Sequence, residues 1–158
     1  MTDSTTVPAP VQRISLPEQA PAFYRAMIAL EQAAKAGLDD PQLVELVKIR
    51  ASQLNGCAFC LDMHATDARA HGEQEHRLHT LAAWRETPYF TARERAALAL
   101  TEAVTLVADT HVPDSVYDEA AKQFDQAELA HLIGLIITIN SWNRIGVTSR
   151  LSPAPKQA

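Results

Sequence analysis

The stretch Glu45-Leu46-Val47-Lys48-Ile49-Arg50-Ala51-Ser52-Gln53-Leu54-Asn55-Gly56-Cys57-Ala58-Phe59-Cys60-Leu61-Asp62-Met63-His64 decides how this chain is read. Its first half has a helical pattern. Asp40 offers a cap, Pro41 suits a first helical position, and Leu43, Val44, Leu46, Val47, Ile49, Ala51 and Leu54 cover more than half the circumference. So apolar a helix belongs near the centre of a fold. Asn55-Gly56 breaks it. A second helix starts near Cys57 and runs to about Ala70, with Gly72 as its stop.

On that second helix, three residues turn the chain by about −60° and four by about +40°, so Cys57, Cys60 and His64 share one face. Cys57 falls in the first turn, where free N–H groups and the positive dipole end favour a thiolate. His64, one turn beyond Cys60, is placed to take a thiol proton or stabilise the anion. The energy required is modest. A free thiol of pKa ~8.5 is about 3% ionised at pH 7, and about 2.7 kcal/mol of differential stabilisation lowers it by ~2 units. A paired cysteine then has a use: one sulfur is oxidised and the other condenses with it to a disulfide. Glu45, on the preceding helix, is a carboxylate that would orient His64 as a third relay member; its plain alternative is a salt bridge to Lys48.

Outward from this centre, nearly everything from residue 15 to about 147 reads as helix, with no run of strand alternation and no repeat. A first helix, Pro17 to Ala36, carries Phe23, Met27, Leu30 and Ala34 on one face and stops at Gly37. A fourth, about Glu73 to Arg85, carries Leu78, Leu81 and Trp84. Thr91-Ala92-Arg93-Glu94 is a capping box opening a helix with Ala96, Leu100, Ala103, Val104 and Val107 in one stripe. Asp114 or Ser115 caps a short helix with Val116, Ala120 and Phe124. Asp125-Gln126-Ala127-Glu128 is a second capping box, before a last helix that is apolar almost all round. The fold class is therefore all-α: one helical bundle of about six or seven helices over residues 15–151, with a loose Pro-containing arm at 1–14 and a disordered tail at 152–158.

Composition narrows the function. At 158 residues, 47% hydrophobic and a net charge of −5, the chain suits one globular domain and neither a nucleic-acid footprint nor a polybasic membrane patch. The longest apolar stretch, Leu132 to Ile139, is short of the ~20 residues of a membrane span. The start, Met1-Thr2-Asp3-Ser4, has no secretory pattern, so the expected location is cytoplasmic. Two cysteines three residues apart do not staple such a domain; there they serve redox chemistry or a metal. Covalent haem is excluded because Leu61, not histidine, follows Cys60. A thioredoxin fold is disfavoured because no strand precedes the pair. Zinc on Cys57, Cys60, His64 and His71 would need one helix to wrap four ligands round an ion.

The pattern Glu45-x11-Cys57-x2-Cys60-x3-His64 resembles the core motif of the AhpD-like alkylhydroperoxidases, within the carboxymuconolactone decarboxylase superfamily. Arg50 to Gly56, Asp62-Met63-His64, Trp84-Arg85-Glu86, Thr91 to Arg95 and Trp142-Asn143-Arg144 are also similar to its single-domain members, so the resemblance spans about residues 15 to 147. It implies an all-α fold assembled as homotrimers or homohexamers. It implies peroxidase activity on hydrogen peroxide or organic hydroperoxides, without a cofactor or bound metal. It assigns Cys60 as peroxidatic nucleophile, Cys57 as resolving thiol, His64 as base and Glu45 as proton relay. The implied reductant is an external dithiol of lipoyl or thioredoxin type. Family peroxidases place a histidine just before the second cysteine; here it is Phe59. That departure keeps a second reading open, a dithiol–disulfide oxidoreductase or redox sensor with little peroxide turnover. A third is a non-catalytic oligomeric module holding zinc at Cys57, Cys60 and His64. Trp84 and Trp142 read as packing or interface residues, and the remaining histidines as solvated or structural.

Overall fold

The computed structural model describes residues 7–154. It consists of α1 (Leu16–Gln19), α2 (Pro21–Lys35), α3 (Pro41–Asn55), α4 (Ala58–Ala70), α5 (Glu75–Thr80), a 3-10 turn (Leu81–Glu86), α6 (Ala92–Thr105), α7 (Val107–Thr110), α8 (Asp114–Gln123) and α9 (Gln126–Ser149). No strand occurs among the described residues, as the helical periodicity requires. No described helix is long and apolar enough to cross a membrane.

α3 is the hub, packed against α4, α6 and α9. Its apolar residues point to both sides. Val44 and Val47 join Leu100, Leu132, Leu135 and Ile136 in one core cluster, whereas Leu46 and Ile49 join Leu81, Trp84, Phe90 and Leu98 in another. Each fully buried leucine or isoleucine stabilises the fold by about 1.5–3 kcal/mol relative to its exposed state. Three of the caps read from sequence are present. The Asp40 carboxylate accepts from the Leu43 N–H, and reciprocal capping boxes join Thr91 to Glu94 and Asp125 to Glu128.

The helix count exceeds the expected six or seven because three expected elements are divided. The first breaks at Ala20 (φ −138°, ψ 61°), since Pro21 disfavours a helical residue before it and lacks the N–H to continue the ladder. The fourth starts later, at Glu75, because the Glu73 carboxylate accepts from the Gln74 N–H and Arg77; it then passes into the 3-10 turn, with a kink at Ala83. The fifth stops at Thr105 amid the β-branched Val104, Thr105 and Val107, leaving Val107 exposed on the separate α7 rather than in the buried stripe. α8 has Pro113, already extended, at its N-cap position, so neither Asp114 nor Ser115 caps it.

Of the arm, residues 7–11 are exposed and non-helical, but Arg13 is tied down: its N–H donates to the Ser149 carbonyl at 2.9 Å and its guanidinium to that of Thr148. The expectations for residues 1–6 and 155–158 lie outside the described residues.

A buried polar ladder locks the α3–α4 corner onto α9. The Asn55 amide donates to the side-chain oxygens of Asn140 and Asn143, both at 2.9 Å, and the Asn143 amide donates to Ser52 Oγ. A second knot surrounds Glu102, whose carboxylate accepts from Arg50, Arg85 and the Trp84 indole. Arg95 reaches back to the Trp84 and Thr87 carbonyls. Most of the motif residues outside the Glu–Cys–Cys–His set therefore build the scaffold.

Candidate active site at the start of α4

Gly56 closes α3 in the left-handed conformation (φ 66°), which a side chain would oppose, and turns the chain sharply into α4. Cys57 thereby becomes the N-cap of α4, and its sulfur accepts the Cys60 N–H at 3.3 Å. Cys57 and Cys60 are joined as a disulfide, their Cα atoms 5.3 Å apart. Both are buried, at 2% and 3% exposure. With the sulfurs bonded to each other, neither offers the thiolate that zinc would require.

His64 is also buried, one turn along α4. Its Nδ1–H donates to Glu45 Oε2 at 2.8 Å, which leaves Nε2 as the basic ring atom. Both readings of Glu45 hold at once: it orients the imidazole with one oxygen, while the other lies 3.7 Å from Lys48 Nζ. Lys48 is 3% exposed and donates to Glu31 Oε1 of α2 at 2.6 Å. Burial would raise the Glu31 carboxyl; the Lys48 ammonium, with smaller help from His64 and Lys35, more than offsets this and holds it below the usual carboxylate range. Asp67, exposed on α4, brings a further carboxylate to within 4.8 Å of the Glu45 and His64 ligand atoms. His71 stands apart, exposed at the end of α4.

The two sulfurs face different spaces. Cys60 and His64 open into a cavity of about 240 Å³ walled by Tyr24, Ile28, Phe59, Met63, Trp142 and Ile145, with Glu31 at its edge. Tyr24, Phe59 and Ile145 also wall an adjoining cavity of about 170 Å³ floored by Ile14, Ser15, Leu16 and Pro17. Cys57 instead lines a cleft of about 180 Å³ with Gly56, Ala58, Val147 and Arg150. Gly146 of α9 borders both the Cys60 cavity and the Cys57 cleft. A β-carbon on it would come 2.9 Å from Cys57 Sγ and 3.5 Å from Cys60 Sγ.

All four residues read from the motif thus converge, Cys57, Cys60, His64 and Glu45. Three others escaped the sequence reading. Glu31, Tyr24 and Gly146 arrive from α2 and α9, and no local spacing announces them; Trp142, read as a packing or interface residue, joins them at the cavity. Trp142 is a cavity wall, its ring edge-on to Tyr24 with centroids 5.3 Å apart, whereas Trp84 is buried scaffold as expected.

The family model described as "Carboxymuconolactone decarboxylase family" matches residues 21–103. The uncharacterized protein YdfG of Bacillus subtilis (strain 168) is 43% identical over 136 residues, covering 86% of this chain and 92% of the relative. The uncharacterized protein YnjA of Escherichia coli (strain K12) is 33% identical over 97 residues, covering 61% and 53%. Among solved structures, ATU0492 of Agrobacterium tumefaciens, a protein of unknown function proposed as the antioxidant defence protein AhpD, superposes with a TM-score of 0.88 at 36% identity, covering 92% of this chain and all of that one. The debrominase Bmp8 shares the fold, with a TM-score of 0.73 at 19% identity, covering 84% and 71%.

Proposed function

From the premise that this chain belongs to the carboxymuconolactone decarboxylase family, we propose that it is an AhpD-like cysteine peroxidase acting on hydrogen peroxide or organic hydroperoxides. The observation that carries this reading is that Cys60, one half of a buried disulfide, shares an apolar cavity with an imidazole held by a buried carboxylate.

In the reduced protein, His64 takes the Cys60 proton while its own Nδ1–H stays on Glu45. The thiolate attacks the distal peroxide oxygen: an S–O bond forms, the O–O bond breaks, and the departing alkoxide or hydroxide takes the proton from His64. The Cys57 sulfur then attacks the Cys60 sulfenic acid, releasing water and closing the disulfide found here. An external dithiol, of lipoyl or thioredoxin type, restores both thiols and is itself oxidised to a disulfide. The Cys57 cleft, on the far side of Gly146, suits its approach, because attack at Cys57 expels Cys60 as the thiolate that His64 stabilises. The reading carries with it a cytoplasmic setting, where reducing conditions keep such a cycle running.

Assembly as a homotrimer or homohexamer forms part of the proposal. Phe23, Leu30 and Ile137, on the packed pair α2 and α9, are 46–51% exposed, which is apolar surface that a subunit contact would cover. Phe59 favours a second reading: with no histidine before Cys60, the same pair serves dithiol–disulfide exchange with slow peroxide turnover. Counting thiols after exposing the reduced protein to cumene hydroperoxide separates them. Rapid loss of both thiols supports the peroxidase. Slow loss, alongside fast exchange with a disulfide substrate, favours the oxidoreductase.

A further inference from the structure

Behind His64 lies a row of charges, Glu45 and Lys48 buried and Glu31 partly exposed, of which the peroxidase cycle uses only Glu45. Lys48 sits 3% exposed between two carboxylates, 2.6 Å from Glu31 and 3.7 Å from Glu45. Taking an ammonium out of water costs several kcal/mol unless it is paired and hydrogen-bonded. Its position beside the one carboxylate that orients the imidazole therefore calls for a role.

We propose that Lys48 and Glu31 are positioning residues, a clamped ammonium and its counter-carboxylate that hold Glu45 against His64 Nδ1 and set the proton affinity of the imidazole. The inference rests on the peroxidase reading only for its consequence in catalysis; the geometry stands without it. Lys48 fixes one Glu45 oxygen, so the other is presented to the imidazole, and Nδ1 keeps its proton. Charge does the tuning. With Glu31 and Glu45 ionised and Lys48 protonated, His64 faces a net charge of about −1 from this row. Without Lys48 it would face about −2, and the ring would hold its proton more tightly. Without Glu31 it would face about zero, and the ring would give up its proton more readily. Among the described residues, the other titratable groups at this site are Asp67 on the same helix and Tyr24 of α2, which walls the same cavity, with Cys57 and Cys60 joining them only when reduced. α9 presents only Trp142, Ile145 and Gly146 to this cavity.

The test titrates the His64 imidazole by NMR in the disulfide form, where no thiol ionises. In Lys48→Met the midpoint is expected to rise by about one pH unit, tenfold in proton affinity, and in Glu31→Gln to fall by a similar amount. Lys48→Arg, which keeps the charge, leaves the midpoint within a few tenths. In the reduced protein, the acid limb of the rate of peroxide-dependent thiol loss moves in the same direction as each midpoint. A merely structural role would not give opposite signs for the two substitutions. Unmoved midpoints, or shifts of the same sign, overturn the inference. Should the unsubstituted protein lose no thiols to peroxide while the midpoints still move oppositely, the peroxidase reading fails and the charge row stands. If Lys48→Met does not fold, Glu31→Gln and Lys48→Arg decide the matter alone: the first must lower the midpoint and the second must preserve it.

Discussion

Gly146 of α9 lies so close to Cys57 that a β-carbon on it would stand 2.9 Å from the sulfur. The disulfide closes under a helix backbone that has no side chain at this one point, and the same glycine divides the Cys60 cavity from the Cys57 cleft. Gly146→Ala overfills this contact. Thiols free to rotate apart escape the clash more easily than sulfurs locked together, so the oxidised form suffers more. The expected outcome is a loss of about 1–3 kcal/mol in the stability of the disulfide form. Cys60 sulfenic acid also persists after peroxide treatment, where the unsubstituted protein closes its disulfide. Thermal denaturation of both redox forms and trapping with dimedone check this.

The 2.8 Å contact between His64 and Glu45 makes the carboxylate the anchor of the base. Glu45→Gln keeps the shape but removes the charge that favours the Nδ1–H tautomer. Peroxide-dependent thiol loss should slow by about 10²-fold at neutral pH, within the range that positioned acid–base groups contribute. Stopped-flow measurement on the reduced variant reads this, and unchanged circular dichroism shows that the fold persists.

Phe59 stands where the family's peroxidases carry a relay histidine, and here it walls two neighbouring cavities of about 240 and 170 Å³. Phe59→Ala joins them. The variant should accept hydroperoxides with longer apolar chains, and the ratio of kcat/KM for a long-chain over a short-chain hydroperoxide should rise by about tenfold, the worth of one or two methylenes in an apolar site. An unchanged ratio across an alkyl series would show that Phe59 does not limit substrate length.

Acid sensitivity follows from the scaffold. Burial alone would raise Glu94 and Glu102, but Arg77 with the Thr91 cap outweighs it for the first, and Arg85, Trp84 and Arg50 for the second. Both carboxyls therefore titrate below the ordinary 4.5 in the folded protein. A group lowered on folding contributes stability that is present above its unfolded value and lost as pH falls through its folded one. Urea midpoints should hold from neutrality to about pH 5 and decline below about 4.5. Glu102→Gln should cost about 1–3 kcal/mol at pH 7, leaving Arg50, Arg85 and Trp84 poorly partnered, and should flatten the acid decline.

Much of this was legible locally. Asp40, Gly56 and the two capping boxes mark α3, α6 and α9 because caps act on neighbouring backbone groups. Cys57, Cys60 and His64 share a face because one helix carries all three. Glu45 stood between two readings, a relay member or a salt bridge to Lys48, until the family resemblance assigned it, since the turn at Gly56 leaves the packing of α3 on α4 open in the sequence. Glu31, Tyr24 and Gly146, and the place of Trp142 at the cavity, were not legible, because α2 and α9 meet the site only once the core is packed. The breaks at Ala20 and Leu106 also escaped: a stripe reaching Val107 continues across the second while the backbone does not, and the first lies before Pro21, inside a stretch expected as one helix from Pro17 to Ala36.

The central claim is that the Cys60 sulfur meets the peroxide and the Cys57 sulfur resolves it. Dimedone labelling of reduced Cys57→Ser and Cys60→Ser, each given one equivalent of cumene hydroperoxide at pH 7 and mapped by peptide mass spectrometry, tests this directly. The account predicts a sulfenic acid on Cys60 in the first variant and none on Cys57 in the second. A sulfenic acid that forms readily on Cys57, or on neither cysteine, would contradict it.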